Sequence, residues 1–520
     1  MTHSVALTSA THRVLREHLL RADGQEDLAF ALWRPSQGKT RLTALLSDPL
    51  LPRPGDRSVH GNAAFGPRFL EHAFDAALAA GTGIAFLHSH PGGRGWQGMS
   101  GDDLAAESSI AAQVLTVTGL PLVGLTMAGD GRTSGRFWLR ASQRSFGLTG
   151  CETVRVVGDR YVATYHPELR PLPTVRPALE RTVSAWGEAA QGDLARLRVG
   201  VIGAGSVGGI VAEALARTGV EHIRLVDFDS VKTVNLDRLL YADELDVALG
   251  RSKVEALARR LQRSARAGQP RIDALELSVA EEDGYRAALD CDVLFSCVDR
   301  PWPRAVLNFI AYAHLIPVVD GGIFVRVKPD RSMRGADWRA HIAAPGRRCL
   351  ECLGQYDSGL VSADREGYFD DPTYVARLPT DHPARRNENV FAFALADASL
   401  EVLQLLSMVV APSGLADIGA QSYHLVTGSL DLEEAACDPT CPYDTVPLLA
   451  SGDTTSLIVT GRHEAALRER ADRAVRRSRL RIRALRTLRH AGDRLAGLLD
   501  TAAVTRPPQQ MRRPRNGTGS

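Results

Sequence analysis

Two histidines one residue apart, His88 and His90, close the apolar run Ile84–Leu87 and are followed by Pro91, Ser100 and Asp103. If the chain bends after the histidines, Asp103 completes three zinc ligands and leaves a fourth position to water. Such a water needs a base, for which a carboxylate is the usual choice. Two further clusters can do chemistry. Gly203-Ala204-Gly205-Ser206-Val207-Gly208 lets backbone approach phosphate and offers the N–H groups and positive dipole of a helix start. Asp227 or Asp229, about twenty residues on, suits a ribose hydroxyl. Cys349-x-x-Cys352 and Cys437-x-x-x-Cys441 have zinc-ligand spacing, and four thiolates close a tetrahedral structural site with no open position.

These groups need scaffolds. Short apolar strands are expected at 28–33, 83–88, 122–127 and 153–157, with a clear Ala-rich helix at 69–80. Pro167, Pro171, Pro173 and Pro177 then punctuate a stiff stretch. Strands at 198–202, 223–227, 293–296 and 317–320 alternate with helical segments, which argues for a doubly wound, mostly parallel sheet. The division is 1–167, a first α/β domain; 168–177, a Pro-rich linker; 178–458, a Rossmann-like second domain; 459–505, a basic helical extension; and 506–520, a disordered tail.

Asp227-Phe-Asp-Ser-Val-Lys-Thr-Val-Asn235-Leu-Asp-Arg238 resembles the signature of the ThiF/MoeB/HesA and ubiquitin-activating adenylyltransferases. The resemblance runs through most of 178–450 and implies ATP and Mg2+. Asn235 and Arg238 would neutralise triphosphate charge as pyrophosphate leaves. Lys253 matches the phosphate-binding lysine, though two residues further from Arg238 than usual. Asp299 falls where the family holds magnesium, and Arg181 matches an arginine that reaches ATP in the partner subunit, implying a homodimer. Residues 353–436, where many relatives carry a nucleophilic cysteine, contain none. Adenylation is therefore expected, and thioester formation on this chain is not. Cys297 reads as packing within a strand.

The histidine motif is similar to that of JAB/MPN (JAMM) zinc metalloproteases, which cleave isopeptide or peptide bonds after ubiquitin-like proteins. By that resemblance Glu26 is the base, with Asp27 and Glu17 as weaker candidates, and Ser100 steadies the tetrahedral intermediate. The His90–Ser100 loop is two residues longer than the common form. Together the resemblances imply that the chain activates the C-terminal carboxylate of a ubiquitin-like protein and processes or removes it, in a bacterial modification system, some of which are linked to phage defence. A ubiquitin-conjugating-type enzyme is an implied partner. Sulfur-carrier activation for biosynthesis and a weakly catalytic scaffold are the alternatives.

Bulk properties agree with a soluble, multidomain chain. The 520 residues exceed one hydrophobic core, and a net charge of +2 excludes a general polyanion binder. Seven cysteines do not form a disulfide framework, so a reducing cytoplasm is expected. The greasy run 390–412 carries Asp397 and Glu401, which fits a buried helix better than a membrane span. Between Arg462 and Arg494 there are twelve arginines and four acidic residues, with no interleaved aromatics. A helix packed on the domain is expected there rather than a nucleic-acid binder.

Overall fold

A computed structural model describes residues 1–504, apart from 61, 143–144, 331, 380–381, 383–384, 386–387, 434, 444–447 and 455–460. The tail expected to be disordered, 506–520, lies outside the described residues. In chain order the N-terminal strands are β1 (Thr2–Thr8), β2 (Leu28–Gln37), β3 (Arg41–Leu50), β4 (Arg57–His60), β5 (Asn62–Phe65), β6 (Gly83–His90), β7 (Leu122–Ala128), β8 (Thr133–Arg140), β9 (Phe146–Gly150), β10 (Thr153–Val157) and β11 (Val162–Tyr165). β4 and β5 form a separate hairpin; the other nine make one sheet in the order β11-β10-β1-β3-β2-β6-β7-β8-β9.

Both faces of this sheet are covered. On β2, Leu28, Phe30 and Leu32 face helices Pro67–Ala80 and Gly101–Thr118, while Ala29, Ala31 and Trp33 face helix Ser9–Leu19. The alternation follows from the two-residue period of a strand. β1 was not expected from its polar sequence. It lies inside the sheet, parallel to both β3 and β10, and its buried Ser4 hydroxyl bonds Thr43 at 2.8 Å. A strand buried on both sides with its hydroxyls paired shows no apolar alternation.

The second sheet comprises β12 (Arg198–Ile202), β13 (His222–Val226), β14 (Arg271–Leu275), β15 (Val293–Ser296), β16 (Val318–Val327), β17 (Met333–Ala343), β18 (Ala420–His424) and β19 (Ser429–Glu433), ordered β14-β13-β12-β15-β16-β17-β18-β19. The first five are parallel and the last three antiparallel. Strand order reverses between β12 and β15, the point at which such sheets open a ligand crevice beyond the strand ends.

Helix Phe391–Val410 packs on β16, β17 and helix Ser206–Thr218. Among the described residues it is the helix long and apolar enough to cross a membrane, and its Asp397 and Glu401 are fully buried against the sheet. Burial pushes the Asp397 carboxyl up to about 7, and burial with the neighbouring Asp397 charge raises Glu401. Gly321 makes room for this: a Cβ there would stand 2.1 Å from Glu401 Oε1.

The two sheets meet at a charged seam. Arg41 of β3 donates to Asp292 at 2.5 Å, and Arg155 of β10 lies 3.5 Å from the same carboxylate. All three side chains are at most 2% exposed. Asp292 also accepts from the Arg198 backbone N–H at 2.9 Å, while Asp290 accepts from the Thr40 and Arg41 backbone N–H groups. A helix, Glu464–Val504, follows the second domain.

Candidate functional site

At the strand-order reversal, β12 ends in the glycine turn and feeds helix Ser206–Thr218. Gly203 has φ +96°, and a Cβ there would meet the Cys297 carbonyl at 2.3 Å; one on Gly208 would meet the Gly203 carbonyl at 1.9 Å. Only glycine fits these two positions. Gly205 faces open space and caps the helix without a side-chain bond, so the first-turn N–H groups are left for an anion. Asn389, which the sequence reading missed, donates to Ser206 Oγ at 2.8 Å beside this helix start.

Asp227 ties the turn to β13 by accepting from the Ala204 N–H and the Asp229 N–H, each at 2.7 Å. Asp229 accepts from Lys253 Nζ at 2.6 Å. Burial works against the Lys253 charge, but Asp227, Asp229 and Asp299 outweigh it and raise its pKa. The same lysine lowers Asp229 against burial, whereas burial dominates at Asp227 and raises it. These charges thus converge on one crevice, with Asp299 exposed on the loop after β15. Asn235 Oδ1 accepts from the Lys232 N–H, and Arg238 folds back on Val234 O and Asp237. Tyr241 donates to the Ala204 carbonyl. Arg181 is exposed on helix Glu180–Ala195.

Cys297 lies just past the end of β15 and is half-buried, not within the strand as expected. Its thiol sits 3.7 Å from Glu401, and burial, then the Glu401 and Asp397 charges, push its pKa well up. A thiol so held is a poor nucleophile.

The four cysteines Cys349, Cys352, Cys437 and Cys441 bring their sulfurs within 4.8 Å of one another. Cys349 and Cys441 are 3.6 Å apart, far beyond a disulfide, and the Cys349 and Cys352 N–H groups point at sulfur, as ligating thiolates require. The donor set fits a closed tetrahedral metal. Cys437→Ser is expected to lower both bound zinc and the melting temperature; an unchanged metal content would remove this site.

In the first domain His88 and His90 point to the same side of β6, and their donor atoms lie within 4.8 Å of an Asp103 oxygen. Each Nε2 is 3.4 Å from the Asp103 carboxylate. Burial raises the half-buried Glu26, opposed by His90 and His88, so Glu26 sits in the field of this trio. Asp27 is taken up by Arg57 and Arg21, and Glu17 is exposed on helix Ser9–Leu19. Ser100 caps the helix bearing Asp103: its Oγ accepts from the Asp103 N–H at 3.1 Å, and Asp103 returns the bond at 2.7 Å.

Support around this trio was not foreseen. The Ser89 hydroxyl accepts from the Asp27 N–H at 3.0 Å, binding the Glu26 segment to the histidine strand. Buried Glu107 receives Arg136 and the Trp138 Nε1 at 2.6 Å, and Arg136 donates to Thr126, whose hydroxyl lies 3.2 Å from His88 Nε2. Gly124 admits Glu107, since a Cβ there would be 2.2 Å from its oxygen.

A parallel sheet with a glycine turn at its reversal point, a buried lysine and convergent carboxylates defines a nucleotide-binding α/β domain. The ThiF family model matches residues 179–414, so this stretch carries a ThiF-type domain within the longer chain. Three curated relatives are similar to it. tRNA threonylcarbamoyladenosine dehydratase 2 of Saccharomyces cerevisiae is 34% identical over 148 residues, 28% of this chain and 32% of its own. Ubiquitin-like modifier-activating enzyme 5 of Drosophila willistoni is 28% identical over 144 residues, covering 25% and 35%. Sulfur carrier protein ThiS adenylyltransferase of Bacillus subtilis is 31% identical over 181 residues, covering 35% and 50%. The chain therefore spans at most half the length of these relatives.

Proposed function

We propose that the ThiF-type domain adenylates the C-terminal carboxylate of a ubiquitin-like protein. We further propose that the N-terminal domain is a JAB/MPN-type zinc peptidase that trims or removes the same modifier. The observation that carries the first half is the crevice where Gly203–Gly208, Lys253, Asp227, Asp229 and Asp299 meet. In this reading the free helix N–H groups and Lys253 would bind the phosphates of ATP, and Asp299 would hold Mg2+, which would offset phosphate charge. Arg238 and Asn235 turn toward the departing pyrophosphate once nucleotide is bound. Similarity to a modifier-activating enzyme and a sulfur-carrier adenylyltransferase supports a protein carboxylate as substrate. The acyl-adenylate then passes to an acceptor outside this chain, for which a conjugating-type enzyme is one class, in a bacterial modification pathway of antiphage type.

The second half rests on His88, His90 and Asp103 converging, with Glu26 beside them. His88, His90 and Asp103 would hold a zinc ion, which would supply Lewis-acid activation of water and of the scissile carbonyl. Glu26, raised by burial, takes and returns the proton. His88→Ala and Asp103→Ala are each expected to lose zinc relative to wild type, read by metal analysis. Retention of full metal content would sink the assignment.

The Bacillus subtilis relative favours a second reading, activation of a sulfur carrier. Incubation with ATP and candidate proteins of each kind, followed by mass spectrometry for an acyl-adenylate, separates the two. No adenylate with any candidate would favour a recruiting scaffold.

A further inference from the structure

The basic helix Glu464–Val504 does not bind only as a decoration on the domain; its first turns lie on the segments that form the nucleotide crevice. Arg473 is 2% exposed. Its Nε donates to Ser230 Oγ at 3.1 Å, and its other nitrogens donate to the Phe228 carbonyl and to Glu276. Phe228 and Ser230 flank Asp229, the partner of Lys253. One turn further, Arg477 donates to Glu255 Oε2 at 2.5 Å. Glu255 completes the capping box with Ser252 at the start of helix Lys253–Ser264, the helix that presents Lys253. On the other side Arg470 grips Glu281 with two bonds of 2.7 Å. Arg468 lies 3.2 Å from Asp370, which is also held by Arg300, the residue after Asp299. His463 reaches Ser278 at 2.7 Å and stacks edge-on against Phe228.

We infer that this helix clasps the nucleotide site, and that Arg473 is a positioning residue for ATP. It acts by fixing the backbone on both sides of Asp229, while Arg477 fixes the start of the Lys253 helix. An arginine fork that bonds a carbonyl, a hydroxyl and a carboxylate at once sets geometry in a way a lysine cannot. The inference rests on the reading of the crevice as an ATP site.

The test is ATP binding by the full chain, measured directly by equilibrium titration, together with KM and kcat for ATP–pyrophosphate exchange. Arg473→Met is expected to weaken ATP binding and raise KM by about ten-fold, the scale of one lost charge-assisted hydrogen bond, with kcat changed far less. Arg473→Lys should fail to rescue it. Should Arg473→Met not fold, the double variant Arg470→Gln/Arg477→Gln, at partly exposed positions, carries the same expectation. Wild-type binding of ATP with unchanged affinity in the variants that fold overturns this inference alone. A wild-type chain that does not bind ATP overturns it together with the ATP reading. A fall in melting temperature without a KM shift assigns Arg473 a purely structural role and also overturns it.

Discussion

Asp299→Asn is expected to reduce ATP–pyrophosphate exchange by roughly 10²- to 10³-fold, the scale of removing one preorganised electrostatic group from a reacting site. The side chain is exposed on the loop after β15, beside the glycine turn, and its charge reaches Lys253. The amide keeps the shape and removes only the charge that would hold a divalent ion against phosphate. Because the group is exposed, the unfolding free energy should stay within about 0.5 kcal/mol of wild type, as with surface substitutions generally. Exchange is the informative readout, since it requires adenylate formation and its reversal but no downstream acceptor. Exchange retained at wild-type rate would show that Asp299 takes no part, and the metal reading of this loop would fall.

Asp292→Asn should be the most destabilising single change, by about 3–5 kcal/mol, because it leaves two buried guanidinium groups without their counter-charge. Arg41 and Arg155 come from the first sheet and Asp292 from the turn just before β15 of the second, so the loss falls on the seam. Burial alone would raise the Asp292 carboxyl, but Arg41 and Arg155 outweigh it and hold the group well below the usual carboxylate range. A depressed folded pKa stabilises fully above the unfolded value of about 3.9 and is lost as pH falls through the lower folded value. The gap between wild type and variant in urea unfolding should therefore be constant near neutrality and shrink below about pH 4. A gap that is absent at pH 7, or that does not shrink in acid, would show that the seam is not held by this charge.

What could be read from the residues was whatever is written locally. The glycine turn with Asp227, and the His88–Asp103 spacing, each lie close along the chain and the fold brings their members together, whereas Asn235 and Arg238 bond only to neighbours in their own segment. The two cysteine pairs are distant in sequence, but thiols at close spacing announce themselves, and they converge as expected. Helix Phe391–Val410 was legible because Asp397 and Glu401 interrupt its apolar run. The rest depended on partners far along the chain. Nothing near Arg41 marks Asp292, and nothing near Arg473 marks Phe228 or Ser230. β1 was hidden because its polar residues are paired inside a two-sided core. That Ser100 caps a helix and Asp227 tethers backbone likewise needs the folded geometry.

The C-terminal helix has 41 residues, Glu464–Val504, and among the described residues its bonds to the domain run through Arg477. At about 1.5 Å per residue the remaining length from 478 to 504 reaches roughly 40 Å. A continuous helix fixes the distance between its anchored first turns and its C-terminal end, which a flexible linker would not.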